Sequence, residues 1–302
     1  MNKELLKAPI YGVLFLFTTF YIVLFVGMLL MNGSLFIFYD QMFLILLTAS
    51  VFLGQVRNTI LYWSPFVILF LAYEAMRGIV DELSANVIYM LPIDFEQKLF
   101  GNVLTISFQN FVNANFSLAS INIINLIAAF LYSLHFIAPM VFAYILFLKH
   151  KKEFLDFSIA MIILSYAALF TFLLFPTAPP WMASENGYID DLEHVTVNIA
   201  NLPIATLYVW INPNPIAAIP SLHAAYPLLI TLFCIKLYGK KAFILFTFPF
   251  LMLLALIYLG EHYLLDALIG YLYVVGIHFI VPRFDLFYNS AMLIKISNRL
   301  AR

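Results

Sequence analysis

Residues 242–281 read AFILFTFPFLMLLALIYLGEHYLLDALIGYLYVVGIHFIV, two apolar runs, 242–259 and 263–281, separated by Gly260, Glu261 and His262. A stretch of about 20 predominantly apolar residues crosses the hydrocarbon of a bilayer as one helix. The pair therefore predicts two neighbouring membrane spans with a polar hinge. Six similar runs lie upstream, at 10–31, 35–53, 59–80, 121–148, 157–175 and 222–237, the second interrupted by Asp40 and Gln41. Of the 302 residues, 64% are hydrophobic, 18% aromatic and 10% charged, and the mean hydropathy is +0.99. A soluble globular domain needs more polar surface than this composition supplies. The expected fold is an all-α integral membrane protein with about eight transmembrane helices. The net charge of −1 leaves no electrostatic footprint for nucleic acid. The single cysteine, Cys234, excludes disulfides and cysteine metal clusters.

Loop charge tests the span count, because Lys and Arg concentrate on the cytoplasmic side. With eight crossings, one side collects Lys3, Lys7, Arg57, Lys149, Lys151, Lys152, Lys236, Lys240, Lys241, Arg283, Lys295, Arg299 and Arg302. The other collects Asp81, Glu82, Asp94, Glu96, Glu185, Asp190, Asp191, Glu193 and Glu261, with Lys98 in a loop and Arg77 near the outer end of the third span. Both termini are expected to be cytoplasmic. Residues 1–58 read as helices outside the core, 59–282 as the catalytic membrane domain and 283–302 as a basic cytoplasmic tail. Within the domain, 81–120 mixes Asp94, Lys98, Gln109, Asn110, Asn113 and Asn115 with apolar residues, which suits a helix lying in the interface. Segment 176–221 carries Pro179, Pro180, Trp181, Pro203, Trp210, Pro213 and Pro215 and reads as an ordered extracytoplasmic cap.

Ionisable groups in a membrane are costly and point to function. Ile219-Pro220-Ser221-Leu222-His223 opens one span and His262-Tyr263-Leu264-Leu265-Asp266 opens another, both at outer ends, so the two histidines can share one depth. His262 and Asp266 stand four apart, on one helical face. That spacing lets the carboxylate hold one imidazole nitrogen as N–H and leave the other as a nucleophile. A second imidazole opposite can protonate a leaving oxygen. Ser221 reads as a candidate phosphate-binding residue; taken singly, the His–Asp pair also fits a satisfied buried contact, and Ser221 also fits a helix N-cap.

In combination, Pro220-Ser221-Leu222-His223 and His262-Tyr263-Leu264-Leu265-Asp266 resemble the second and third motifs of the type 2 phosphatidic acid phosphatase superfamily, membrane enzymes with a six-helix core. Tyr132-Ser133-Leu134-His135-Phe136 with Pro139, Pro176-Thr177-Ala178-Pro179-Pro180, and Asp94 with Leu99-Phe100-Gly101 look like its inositol phosphorylceramide synthase-like branch. The resemblance implies that His262 attacks phosphorus to form a phosphohistidine, Asp266 orients it, and His223 protonates the departing oxygen, with no metal or other cofactor. Water or an acceptor hydroxyl then resolves the intermediate. Two features depart from the superfamily's phosphatases: their Ser-Arg pair is replaced by Ala255 and Leu256, and their Lys-x6-Arg-Pro motif is absent.

The missing cations favour one substrate charge. A phosphate monoester carries nearly two negative charges at neutral pH, a lipid phosphodiester one. Phosphoryl transfer depends on positive charge around the equatorial oxygens. With Arg77 and Lys98 the only cations on the outer side, transfer from a phosphodiester lipid is favoured over monoester hydrolysis. Backbone N–H groups following Ser221 can add anion stabilisation. Arg77 reads as a phosphate ligand or a partner of Glu74 or Asp81, and Lys98 as a phosphate or lipid-headgroup contact. Mid-span His135 is either an acceptor contact or a tie between helices. Tyr226 and Pro227 read as shaping the helix, and His150 and His194 as solvated surface residues. The alternatives are a lipid phosphate or polyprenyl pyrophosphate phosphatase using water, and a transporter. Transport calls for polar residues at successive depths, whereas these gather near one face.

Overall fold

A computed structural model describes residues 39–83, 86–198 and 215–281. The first expected span, 10–31, the start of the second, residues 199–214 of the expected cap and the basic tail lie outside the described residues. What is described is all-helical, apart from isolated parallel bridges that join Thr177 to Ile88 and Ala217. The long helices are α1 (Tyr39–Phe52), α2 (Val56–Leu83), α5 (Leu118–Lys149), α6 (Lys151–Leu174), α9 (Leu222–Tyr238), α10 (Thr247–Leu259) and α11 (Leu264–Ile280). Between them lie the short helices α3 (Met90–Phe100), α4 (Leu104–Asn115), α7 (Pro180–Glu185) and α8 (Val195–Asn198), and a 3₁₀ turn over Gly239–Phe246. Four stretches are long and apolar enough to cross a membrane: Val56–Arg77, Leu118–His135, Lys151–Leu174 and Leu222–Leu259. They suit a multi-pass membrane protein.

Leu222–Leu259 is a folded hairpin, because α9 packs on α10 and the residues flanking its ends, His223 and His262, touch. The 3₁₀ turn carrying Lys240 and Lys241 makes the reversal. Segment 81–120, expected as one interfacial helix, divides where Gly101 adopts φ +79° at the end of α3. A left-handed residue stops the helix there, a conformation glycine adopts without steric cost.

Aromatic side chains fill the junction of α2, α5 and α6: Trp63 is fully buried against Phe66, Tyr144, Phe147 and Phe154. Small residues line other crossings, with Ala160, Ala168, Ala225 and Ala267 all buried, so helix axes approach closely. Outward faces are apolar: Ile68, Phe130, Phe170, Leu272 and Phe279 are each at least 63% exposed. A helix that is apolar on its outside as well as its inside is matched to lipid rather than water.

Candidate functional site

The site begins as a backbone problem: two helices must start side by side. α10 ends at Gly260, whose φ of +78° lets its N–H close back on Ile257. Glu261 and His262 follow in the turn, and α11 starts at Leu264. The Gly260 carbonyl accepts from Trp181 N at 3.1 Å, which ties the turn to α7. Across from it, Ser221 caps α9, its Oγ accepting from Ala224 N at 3.3 Å. Ser221 N donates to the Asp266 carbonyl at 3.0 Å, joining the two helix starts. This approach needs Gly270, where an added Cβ would stand 2.5 Å from the Ser221 carbonyl oxygen.

On this frame His262 Nδ1 lies 3.2 Å from Asp266 Oδ2, and His262 Nε2 lies 3.0 Å from His223 Nδ1. Asp266 Oδ2 also accepts from Tyr263 N at 2.9 Å. With that oxygen already an acceptor, His262 Nδ1 is the donor, its Nε2 holds the lone pair, and His223 Nδ1 donates to it. In this contact chain the lone pair of His262 Nε2 faces the N–H of His223. The two rings touch directly, so no anion-sized gap separates them. The cleft opens beside the rings, lined by Tyr73, Arg77, Phe172, His223, Glu261 and His262 among others. Tyr73 and Arg77, four apart on α2, present one face to it.

His135 is buried at the same level. Its Nδ1 is 2.6 Å from the Tyr132 carbonyl, which can only accept, so Nδ1 carries hydrogen. Its ring lies 3.8 Å from that of His223, and Tyr132 stacks on His223 at 4.7 Å. Mid-span in α5 and first turn in α9 coincide in height because the helices differ in length. At 1.5 Å per residue, α5 runs about 48 Å and α9 about 26 Å. Lys98 is exposed in the last turn of α3 and does not line the cleft. Ser221 is buried as a cap and does not line it either. Among the described residues no cluster of three or more His, Cys, Asp or Glu is placed to hold a metal ion. Tyr226 hydroxyl lies 2.8 Å from Ser165 Oγ, a tie between α9 and α6.

Three residues of the outer segments, His194, Glu261 and Glu96, are held in place around the helix starts that carry the histidines. His194 is not a solvated surface group: its Nε2 is 3.2 Å from Glu261 Oε1, and its ring lies parallel to Trp181 at 4.6 Å. Glu261 lines the cleft beside His262. Glu96, fully buried, accepts from Leu104 N at 2.8 Å and Leu264 N at 2.7 Å, capping α4 and α11 with one carboxylate. No local spacing announces such a cap, since its two donors lie 8 and 168 residues away. The only available signal was an acid within the Ile93 to Phe100 stretch.

Burial lifts the Glu96 carboxyl to about 7, against the two N–H donors and with the neighbouring Asp266 adding to the rise. Between its ordinary 4.5 and about 7 the native state holds the proton more tightly than the unfolded chain. Stability contributed by this group is therefore present below that window, is lost as pH rises through it, and is level above. Glu96→Gln, neutral throughout, should lack this slope, a difference of at most about 3 kcal/mol. It should also carry a constant penalty of about 1–3 kcal/mol from one unpaired N–H. Thermal unfolding in detergent from pH 4.5 to 8 measures both; parallel curves for the two proteins would contradict the assignment.

Residues 93–280 match the PAP2 superfamily, the type 2 phosphatidic acid phosphatases and their relatives, and the chain belongs to it. It is an enzyme of that superfamily, a lipid phosphotransferase or phosphatase. It is similar to a phosphoinositol dihydroceramide synthase of Bacteroides thetaiotaomicron, 28% identical over 225 residues that cover 68% of this chain and 71% of the relative. No solved structure shows a significant match.

Proposed function

We propose that the protein transfers a phosphorylated headgroup from a phosphodiester lipid to a hydroxyl acceptor through a phosphohistidine on His262. The chain Asp266 to His262 to His223 beside a cleft containing Arg77 carries this reading. The phosphoryl group enters from the Arg77 side and displaces the contact between the two rings. His262 Nε2 forms a bond to phosphorus, the bond from phosphorus to the lipid alcohol oxygen breaks, and His223 gives that oxygen a proton. Asp266 holds Nδ1–H and stabilises the charge on the ring. The acceptor hydroxyl then attacks phosphorus, His223 takes its proton, and the nitrogen to phosphorus bond breaks. No step needs a metal or cofactor.

The single guanidinium among the cleft's described lining residues suits a monoanionic diester better than a dianionic monoester. The similarity to a phosphoinositol dihydroceramide synthase supports an inositol-phosphate headgroup and a ceramide-type acceptor. The charge alternation of the loops supports about eight crossings around a six-helix core, both termini cytoplasmic and the cleft on the extracytoplasmic or lumenal side. The expected result with purified protein, phosphatidylinositol and a fluorescent dihydroceramide is a new phospholipid formed without inorganic phosphate. Phosphate release from phosphatidic acid or a polyprenyl pyrophosphate, with no transfer product, would establish the phosphatase instead.

A further inference from the structure

A carboxylate is an unexpected lining for an anion cleft, since it repels phosphate. Glu261 occupies such a place: 4% exposed, adjacent in sequence to His262, and facing the cavity that Arg77, His223 and His262 share. It is held there by design of the cap, for Thr196 Oγ1 donates to Oε1 and His194 Nε2 approaches the same oxygen. His194 in turn is fixed flat against Trp181. Two elements of the 176–221 segment thus set the position of one carboxylate next to the reacting nitrogen.

A fixed carboxylate in a low-dielectric cleft does two things. It raises the cost of a second negative charge on phosphorus, and it accepts hydrogen bonds from hydroxyls. A carboxylate offers about four acceptor directions, so it can hold its protein donors and a substrate hydroxyl together. A site built to hydrogen-bond a substrate hydroxyl discriminates strongly against analogues that lack it. We infer that Glu261 is the specificity-determining residue for the donor, reading free hydroxyls on a polyhydroxylated headgroup attached to the phosphodiester. This rests on the transferase reading above, whose donor it narrows.

The test uses the full-length protein with phosphatidylinositol, which carries headgroup hydroxyls, and phosphatidylcholine, which carries none. The readout is the ratio of their kcat/KM values as donors, or of their inhibition constants where one donor turns over too slowly to follow. Glu261→Gln, of the same shape but uncharged, is expected to lower the preference for phosphatidylinositol at least tenfold. Thr196→Val, which loosens the carboxylate without removing it, is expected to lower it at least threefold and serves where the glutamine variant fails to fold. Equal losses on both donors, leaving the ratio within twofold of wild type in the folded variants, would overturn the inference while wild-type transfer stands. Wild-type protein that forms no transfer product from either donor but releases phosphate from phosphatidic acid would overturn the parent reading and this one with it.

Discussion

His262→Ala is expected to abolish turnover and His223→Ala to lower it by up to about ten-thousand-fold on a natural lipid donor, with both proteins still folded and detergent-soluble. The sizes follow from the roles. Without Nε2 there is nothing to bond phosphorus, whereas loss of a general acid typically costs about a hundred- to ten-thousand-fold. The two variants separate with an activated donor. A phosphodiester whose leaving group is p-nitrophenolate departs without a proton, so His223→Ala should regain most of the first step and release a burst of nitrophenolate. His262→Ala should remain silent on the same compound. Rescue of His262→Ala, or equal failure of both, contradicts the assignment of nucleophile and acid. The direct contact of 3.0 Å between the rings means that each truncation also removes a partner from the other. Size-exclusion profiles and thermal unfolding are therefore part of the measurement.

Gly270→Ala should be the next most damaging change although it lies outside the cleft. Its new Cβ would sit 2.5 Å from a backbone oxygen, Ser221 O, which has no rotamer by which to give way. Relief requires α9 and α11 to part at the level where Ser221 N meets the Asp266 carbonyl. Overpacking of this kind costs about 1–3 kcal/mol. A displacement of about 1 Å between catalytic groups can cost about a hundredfold in rate. The expected result is a lowered unfolding temperature and an activity loss of about a hundredfold, most of it in kcat. Gly276 on the same helix has nothing within 4 Å of its added Cβ. Gly276→Ala should therefore be neutral or slightly stabilising, by about 0.5–1 kcal/mol of helix propensity. Comparable losses in both variants would mean that helix composition, not the Ser221 approach, is responsible.

How far this arrangement could be read from residues alone depends on the range of each interaction. The pairing of His262 with Asp266 is a matter of four residues on one helix, and its signal is local. So is the capping role open to Ser221, which the structure gives it. The juxtaposition of His223 with His262 followed from counting spans and assigning sides, a calculation that needs only hydropathy and loop charge. His135 needs one fact more than that calculation supplies: it stands in the middle of its own helix, and the greater length of α5 brings that middle level with the first turn of α9. Glu96, Glu261 and His194 were out of reach for another reason. Each acts through partners in distant segments, Glu96 on Leu264 N and Glu261 on Thr196 and His194, and an acidic residue in an outer loop looks the same whether it caps a helix or meets solvent. Lys98 shows the converse, a cation in a suggestive segment that the fold leaves exposed.

The most direct measurement is the location of phosphorus during turnover. Full-length protein is mixed with a phospholipid donor labelled at phosphorus, quenched at alkaline pH within the first turnover, digested and sequenced by mass spectrometry. The expected result is an acid-labile adduct on His262 Nε2 that carries the headgroup phosphate, disappears when acceptor is added, and is missing from His262→Ala. Product formation at the normal rate with no label on His262, or with the label on another side chain, would contradict it.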